Sequence, residues 1–356
     1  MPKAVVMEEQ PGRPGAVYFP LKIIDVPRTN PEDDQVVVKM LCAALNRRDM
    51  FARQRLYPGA AGNIPILADG VGVVVQCGSS VSEKQWLGKR VILTPARGWS
   101  DDLNGPEGAY AILGGTKYLP DGCCQEFMTI PITEVEECPF FLSDEEAAAV
   151  PVAALTAWRA TIIKAAIKPG DQVLITGIGG GVAIFCLQLA VAYGARVYVT
   201  SGKEQKLSRA KQLGATGGVN YKDPEWTEQL LEMLPADRPF FDSVIDSAGG
   251  EIVRESLKLL RFGGIISSYG MTLGPKTTFP MQAVMKGIEF KGSMMGSRKE
   301  FTEVIQFIGK HRIQPVVDSV YSMDDINSVN NAFDVMRAGT QFGKLVIRIA
   351  TASPNL

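Results

Sequence analysis

Apolar positions follow two rhythms along the chain. Up to about residue 150 they come in short β-branched runs, "AVVM", "QVVVKMLCAAL", "GVGVVVQCG" and "KRVILTP", each broken off by Gly, Pro, Asn or Asp. Such spacing predicts a compact, barrel-like β domain. A long polar stretch, "ARGWSDDLNGPEGAYAILGG", interrupts it, and its length marks a functional or interface element. "LSDEEAAAV" then predicts a helix start, with Ser143 as cap and Glu146 completing a capping box. "PVAALTAWRATIIKAAIKPG" keeps helical composition; Pro151 predicts a kink and Pro169-Gly170 a stop.

From Asp171 the rhythm becomes strand, helix, strand. The predicted strands are "QVLIT", "ARVYVT", "GGVN", "DSVID", "GIISS" and "IEFKG". Between them lie the helical patterns "VAIFCLQLAVAY", "KEQKLSRAKQL", "PEWTEQLLEML", "EIVRESLKLLRF" and "PMQAVMK". Six strands in βα alternation predict an α/β domain with a doubly wound, mainly parallel sheet. From about Gly296 come a helix, the β run "QPVVDSVYS", another helix and "GKLVIRIA"; these strands suit the first domain better than the sheet. The expected boundaries are 1–152, 153–295 and 296–356.

Composition narrows the chemistry. The 356 residues carry a formal net charge of −1, from 37 basic and 38 acidic side chains, so no polyanion partner is expected and nucleic acid is set aside. The start, "MPKAVVMEEQ", lacks a secretory h-region, and no run approaches the roughly 18 apolar residues of a membrane span. Six cysteines, Cys42, Cys77, Cys123, Cys124, Cys138 and Cys186, make no disulfide framework in a chain this long. A reducing cytoplasm suits them. The single histidine, His311, falls late in the amphipathic pattern "FTEVIQFIGKHRIQP", where a cation favours a helix C-terminus. A Ser-His-Asp triad or His-rich zinc site has no second histidine to use.

The most informative stretch is "VLITGIGGGVAIFCLQLA", a strand, a glycine cluster and a helix. A helix N-terminus presents unpaired N–H groups to a phosphate, and glycines let the backbone approach it. A strict G-x-G-x-x-G register from Gly177 fails at Val182, whereas Gly177, Gly180 and Ala183 fit at equal spacing. The turn therefore runs from Gly177 through Gly179, Gly180 and Gly181 to Val182, inside the βα series. NAD sites place an acid at the end of the next strand. Here that strand ends "VYVTSGKEQK", and Ser201, Lys203 and Lys206 suit a 2′-phosphate, so NADP(H) is expected.

These residues resemble the medium-chain dehydrogenase/reductase superfamily, in its zinc-independent quinone oxidoreductase and enoyl reductase branch. The likeness spans nearly the whole chain: "ALNRRD" with "RQRLYPG", "ADGVGVV", "EEAAAVPVAALTAWRA", "VLITGIGGGVA", "SRAKQLGA", "FDSVIDSAGG", "SMMGSRKEF" and "FGKLVIRI", in that order. The resemblance implies a GroES-like catalytic domain, an inserted Rossmann domain and a C-terminal return to the first, assembled as a homodimer or tetramer. Zinc-containing relatives place Cys where this chain has Asn46, and Gly-His-Glu near its Leu67-Ala68-Asp69. Asp69 alone does not supply a catalytic zinc's three ligands, and the stretch matching the structural zinc lobe has no cysteine, so no metal is expected.

The expected reaction is hydride transfer from NADPH to a small electrophilic substrate, a quinone or the C=C of an enone, enal or enoyl thioester. By the same resemblance Asn46 faces nicotinamide and substrate, Asp49 orders its loop with Arg47 or Arg48, and Tyr57 stands near the substrate as a proton donor. Thr156 touches nicotinamide; Asp246, Ser247 and Ala248 end a strand at the ligand edge of the sheet. Tyr221 lies near the 2′-phosphate, Ser268, Tyr269 and Gly270 pass the nicotinamide ribose, and Lys344 reaches the cofactor. The alternatives are a trans-acting enoyl reductase of a polyketide pathway and a non-catalytic NADPH-binding protein.

Overall fold

Residues 1–274 and 276–350 are described by the computed structural model. The chain divides into two compact units, Met1–Val152 with Ser297–Leu356, and Ala153–Gly296.

In the first unit β1 (Lys3–Met7) pairs antiparallel with β2 (Leu21–Asp25). Its organising strand is the ten-residue β3 (Gln35–Ala44), whose apolar residues are buried on both faces. A short helix α1 (Arg47–Arg53) follows, then β4 (Asp69–Cys77), α2 (Glu83–Trp86) and β5 (Arg90–Leu93). The polar stretch forms a small ribbon of β6 (Ala96–Arg97) and β7 (Ala111–Ile112). Between these strands the exposed Glu107 carboxylate accepts N–H bonds from Ser100, Asp101 and Asp102 at 2.7, 2.8 and 2.7 Å. Those three donors hold its pKa down, to about 2, so this tether persists until pH falls that far. Trp99 packs edge-on against Tyr110, centroids 5.8 Å apart. Next come β8 (Phe127–Pro131), β9 (Val135–Glu137) and α3 (Asp144–Ala148), whose capping box joins Ser143 and Glu146 as predicted. Pro151 does not kink one helix. It opens a new one, α4 (Pro151–Trp158), at the first position, where a missing N–H costs nothing.

The second unit holds a six-stranded parallel sheet. Its elements in chain order are β10 (Gln172–Ile175), α5 (Gly181–Ala192), β11 (Arg196–Ser201), α6 (Glu204–Gln212), β12 (Gly217–Asn220), α7 (Trp226–Glu232), β13 (Phe241–Asp246), α8 (Ile252–Leu259), β14 (Leu260–Ser268), α9 (Met281–Met285) and β15 (Glu289–Gly292). The strand order is β12-β11-β10-β13-β14-β15, every pair parallel. The order reverses between β10 and β13, and the crevice at their carboxyl ends is where such sheets bind ligands. Leu260–Phe262, read from sequence as the end of a helix, instead open β14: Leu260 pairs with Phe241, and Arg261 Nε donates to Asp242 at 2.9 Å.

The chain then returns to the first unit with α10 (Arg298–His311), β16 (Val317–Ser322), α11 (Ile326–Ala338) and β17 (Lys344–Arg348). His311 occupies the last turn of α10, stacked on Phe307 with centroids 4.2 Å apart. β17 inserts between β16 and β3, giving the order β16-β17-β3-β4-β5-β9, with β8 also on β3. Its pairing Val346 to Ala44 brings Lys344 to the end of β3. This is a GroES-like unit with an inserted Rossmann sheet, as the sequence implied. Among the described residues no helix is long and apolar enough to cross a membrane.

Candidate active site

Three strand ends of the first unit meet at one buried polar cluster. β3 delivers Leu45 and Asn46, β4 begins at Asp69, and β17 begins at Lys344. Asn46, Asp69 and Lys344 are 8%, 0% and 4% exposed. The Lys344 ammonium donates to Leu45 O, Asn46 Oδ1 and Asp69 Oδ2, each at 2.7 Å. An ammonium has three N–H bonds, so the chain itself uses all of them. Lys344, expected to reach the cofactor, is therefore the hub of an internal network. Asp69 is equally engaged: Oδ2 also accepts from Asn46 Nδ2 at 2.9 Å, and Oδ1 accepts from the Val152 N–H at 2.8 Å.

Further hydrogen bonds fix the loop after β3. Asp49 Oδ2 accepts the Asn46 N–H at 2.7 Å, half of a capping box on α1, and Arg48 donates to Asp49 Oδ1 at 3.0 Å. Burial pushes the Asp49 carboxyl up in pKa, and Arg48 opposes this. Asp49 thus orders the loop, with Arg48 as its partner. Arg48 also donates to Leu113 O and Gly114 O at 2.7 and 3.1 Å and lies over the Tyr57 ring, 4.4 Å from its centroid. The half-buried Tyr57 lines an open cleft of about 600 Å³ with Glu9, Arg55, Lys117 and Tyr118.

A catalytic zinc needs three ligands from Cys, His and carboxylate, with one open position. Asn46 and Asp69 offer an amide and one saturated carboxylate, and between them sits an ammonium. A divalent ion there would leave that buried charge beside it. Among the described residues no three His, Cys, Asp or Glu side chains gather to hold a metal ion. The donor set does not fit zinc.

In the second unit the glycine turn joins β10 to α5. Gly177 and Gly179 have φ of 63° and 140°, a region that side-chain-bearing residues avoid. The space in front of Gly177 and Gly180 is open: a Cβ built there meets nothing within 4 Å. Gly180 caps α5 with no side-chain hydrogen bond, and the first N–H groups of a helix have no intrahelical partner. The turn is tied to the end of β11 by Gly177 N–H to Thr200 Oγ1 at 3.1 Å and Ile178 N–H to Thr200 O at 2.8 Å. A strand, an open glycine turn and a helix N-terminus fit the pyrophosphate of a nicotinamide dinucleotide.

Around the end of β11 the structure gathers cations. A Cβ built on Gly179 would lie 2.9 Å from Lys206 Nζ, so the ammonium rests against the turn. A Cβ on Gly202 would lie 2.8 Å from the Tyr221 hydroxyl and 3.0 Å from Lys222 Cε. Lys222, absent from the sequence reading, lies with Tyr221 beside Gly202; its position directly after Tyr221 was the only signal. Ser201 is buried, and its Oγ accepts the Lys203 N–H at 3.2 Å, while Lys203 caps α6. The Ser201 hydroxyl thus shapes the turn between β11 and α6.

Across the crevice, Asp246 is fully buried and accepts from the Thr176 hydroxyl and from the Gly249 N–H, the latter at 2.8 Å. Burial raises its pKa against these donors. Asp246 thereby fastens the end of β13 to the end of β10 and does not project toward a ligand. Ser247 and Ala248 accept backbone bonds from Thr272 and Leu273 at 3.0 and 2.9 Å. Ser268 Oγ donates to Gly270 O at 3.1 Å, and the Tyr269 N–H donates to Asp246 O at 2.9 Å. The Thr156 hydroxyl, on α4, donates to the Met295 sulfur at 3.5 Å.

Comparison with known proteins agrees with both units. The family described as "Alcohol dehydrogenase GroES-like domain" matches residues 32–140, and that described as "Zinc-binding dehydrogenase" matches residues 181–310. The chain is 44% identical over 358 residues to the zinc-type alcohol dehydrogenase-like protein YogA of Leptosphaeria maculans, covering 98% of this chain and all of that one. It is 26% identical to an acryloyl-coenzyme A reductase of Sulfurisphaera tokodaii, over 92% of this chain and 96% of that one. A solved NAD-dependent alcohol dehydrogenase superposes with a TM-score of 0.84 at 30% identity, covering 98% of this chain and 100% of the other. With its glycine turn, doubly wound sheet and full-length likeness, the chain is an oxidoreductase of the medium-chain dehydrogenase/reductase superfamily, zinc-type alcohol dehydrogenase-like, with the nicotinamide-cofactor binding typical of that superfamily.

Proposed function

We propose that this protein uses NADPH to reduce an electron-poor C=C or a quinone, with no zinc at the reacting centre. The observation that carries the reading is the Lys344 ammonium lodged between Asn46 Oδ1 and Asp69 Oδ2. In a zinc-dependent alcohol oxidation the metal acidifies the hydroxyl, and this donor set does not hold such a metal. Reduction of a conjugated carbonyl needs only a donor to the oxygen on which charge collects. When bound, the nicotinamide supplies the hydride. Asn46 Nδ2 donates to the substrate oxygen as the enolate develops, and Tyr57, in its open cleft, delivers the proton that completes the reduction. The similarity to an acryloyl-coenzyme A reductase supports an enoyl thioester among the acceptors.

The preference for NADPH rests on the end of β11. A solved relative uses NAD by its description, yet here the strand ends in Ser201-Gly202-Lys203 with no acid; Tyr221 and Lys222 lie beside Gly202, and Lys206 lies against Gly179 of the glycine turn. A 2′-phosphate gains charge-assisted hydrogen bonds from such a cluster. Calorimetric titration of the Lys206→Ala variant is expected to show about tenfold weaker NADPH binding with NADH nearly unchanged, in line with one lost charged contact. Equal loss for both cofactors would remove Lys206 from the 2′-phosphate site.

A further inference from the structure

We propose that Lys344 is a positioning residue that acts through Asn46: its ammonium stands as an internal, non-metal cation that fixes which way the Asn46 amide faces. The inference rests on the reductive reading above and assigns a role to the network. An asparagine amide has two nearly isosteric ends, one accepting and one donating. Here the choice is forced. Lys344 has no lone pair to offer, so the end it touches at 2.7 Å is Oδ1; the Asp69 carboxylate has no hydrogen, so the end it touches at 2.9 Å is Nδ2. Flipping the amide would set a donor against an ammonium and an acceptor against a carboxylate. Asp69 is itself held by Val152 N–H, and the Asn46 backbone N–H by Asp49, so neither partner is free to follow a flip.

With one Oδ1 lone pair on the Lys344 ammonium and one Nδ2 hydrogen given to Asp69, the second Nδ2 hydrogen remains for a substrate, and the adjacent cation weakens Oδ1 as a further acceptor. Such a donor favours substrates whose reacting oxygen gains negative charge: conjugated ketones, aldehydes, thioesters and quinones. Lys344 and Asp69 cancel in charge, so the site presents an oriented dipole, with no net charge to bind an anion.

The test is the neutral pair Lys344→Met with Asp69→Asn, beside Lys344→Met alone, since the single change strands a buried carboxylate. For each protein, NADPH affinity and binding stoichiometry are measured by calorimetry, and kcat and KM for an enone acceptor are expressed per NADPH-binding site, which removes any unfolded fraction. The double variant is expected to bind NADPH within twofold of the parent while kcat falls about 10- to 100-fold, the loss typical of a misaligned reacting group. Weakened NADPH binding, alone or with lower kcat, overturns the proposal and returns Lys344 to the cofactor site. A parental kcat in the double variant overturns it as well. A parent protein that binds NADPH yet reduces no acceptor defeats the reductive reading, and this proposal with it.

Discussion

Replacing Asn46 with alanine is expected to lower kcat for acceptor reduction by about 10²–10³-fold, the loss seen when one preorganised donor to a developing oxyanion is removed. Asn46 is 8% exposed and immobilised at three points: its N–H on Asp49, its Oδ1 under Lys344 and its Nδ2 on Asp69. A donor held this way needs no reorganisation when charge appears on the substrate, which is why its removal acts mainly on kcat. NADPH affinity should stay within about twofold, because the phosphate contacts belong to the glycine turn and the β11 cluster. Some stability goes too, about 1–3 kcal/mol, since Lys344 and Asp69 each lose a buried partner. Steady-state kinetics on the folded fraction separates these effects. A kcat reduced only two- or threefold would make Asn46 a loop anchor and leave the oxyanion donor unassigned.

Asp69→Ala is expected to have the largest effect on stability, about 3–5 kcal/mol, measured on the urea transition of the unit that contains it. Asp69 has no exposed surface and accepts from Lys344, Asn46 and Val152. Alanine leaves the Lys344 ammonium buried without its counter-charge, which is costlier than losing the pair's attraction. Asp69→Asn should cost less, because the amide oxygen still accepts from one or two of the same donors. If Asp69→Ala costs under 1 kcal/mol, the network is solvated in solution and does not lock Asn46.

Much of the fold was legible because two periodicities differ so plainly. The six strands from Gln172 to Gly292 and the helices between them were set by β-branched runs alternating with amphipathic stretches. Misreadings came where local propensity was overruled by pairing. Leu260–Phe262 look helical beside "EIVRESLKL", but Phe241 and Asp242 draw them into the sheet. Pro151 reads as a kink and proves to be a helix start. The short ribbon of Ala96–Arg97 with Ala111–Ile112 is set by side-chain and loop contacts that no periodicity records.

The site was legible by halves. Gly177 to Val182 and Tyr221 announce themselves as a turn and a following strand end. The charged network does not, because Asn46, Asp69 and Lys344 are far apart in sequence and meet only through strand pairing. The available signal was a single acid and a single lysine each opening an apolar run: Asp69 before "GVGVVV" and Lys344 before "LVI". A buried charge requires an opposite one, so two such singletons are candidates for each other. Asp246 and Ser201 carry internal contacts that the sequence did not announce. Both sit at ligand-facing strand ends, yet their side chains hold Thr176, Gly249 and Lys203 in place.

On the proposed function, a donor amide held by lysine, and no metal ion, serves the reacting oxygen. The most direct test is acceptor-dependent NADPH oxidation by protein exhaustively treated with chelator and assayed for zinc, run beside NADP⁺-dependent alcohol oxidation. Undiminished reduction of enones or quinones by metal-free protein is expected, with alcohol oxidation negligible. Loss of activity on chelation and its return with stoichiometric zinc would contradict it.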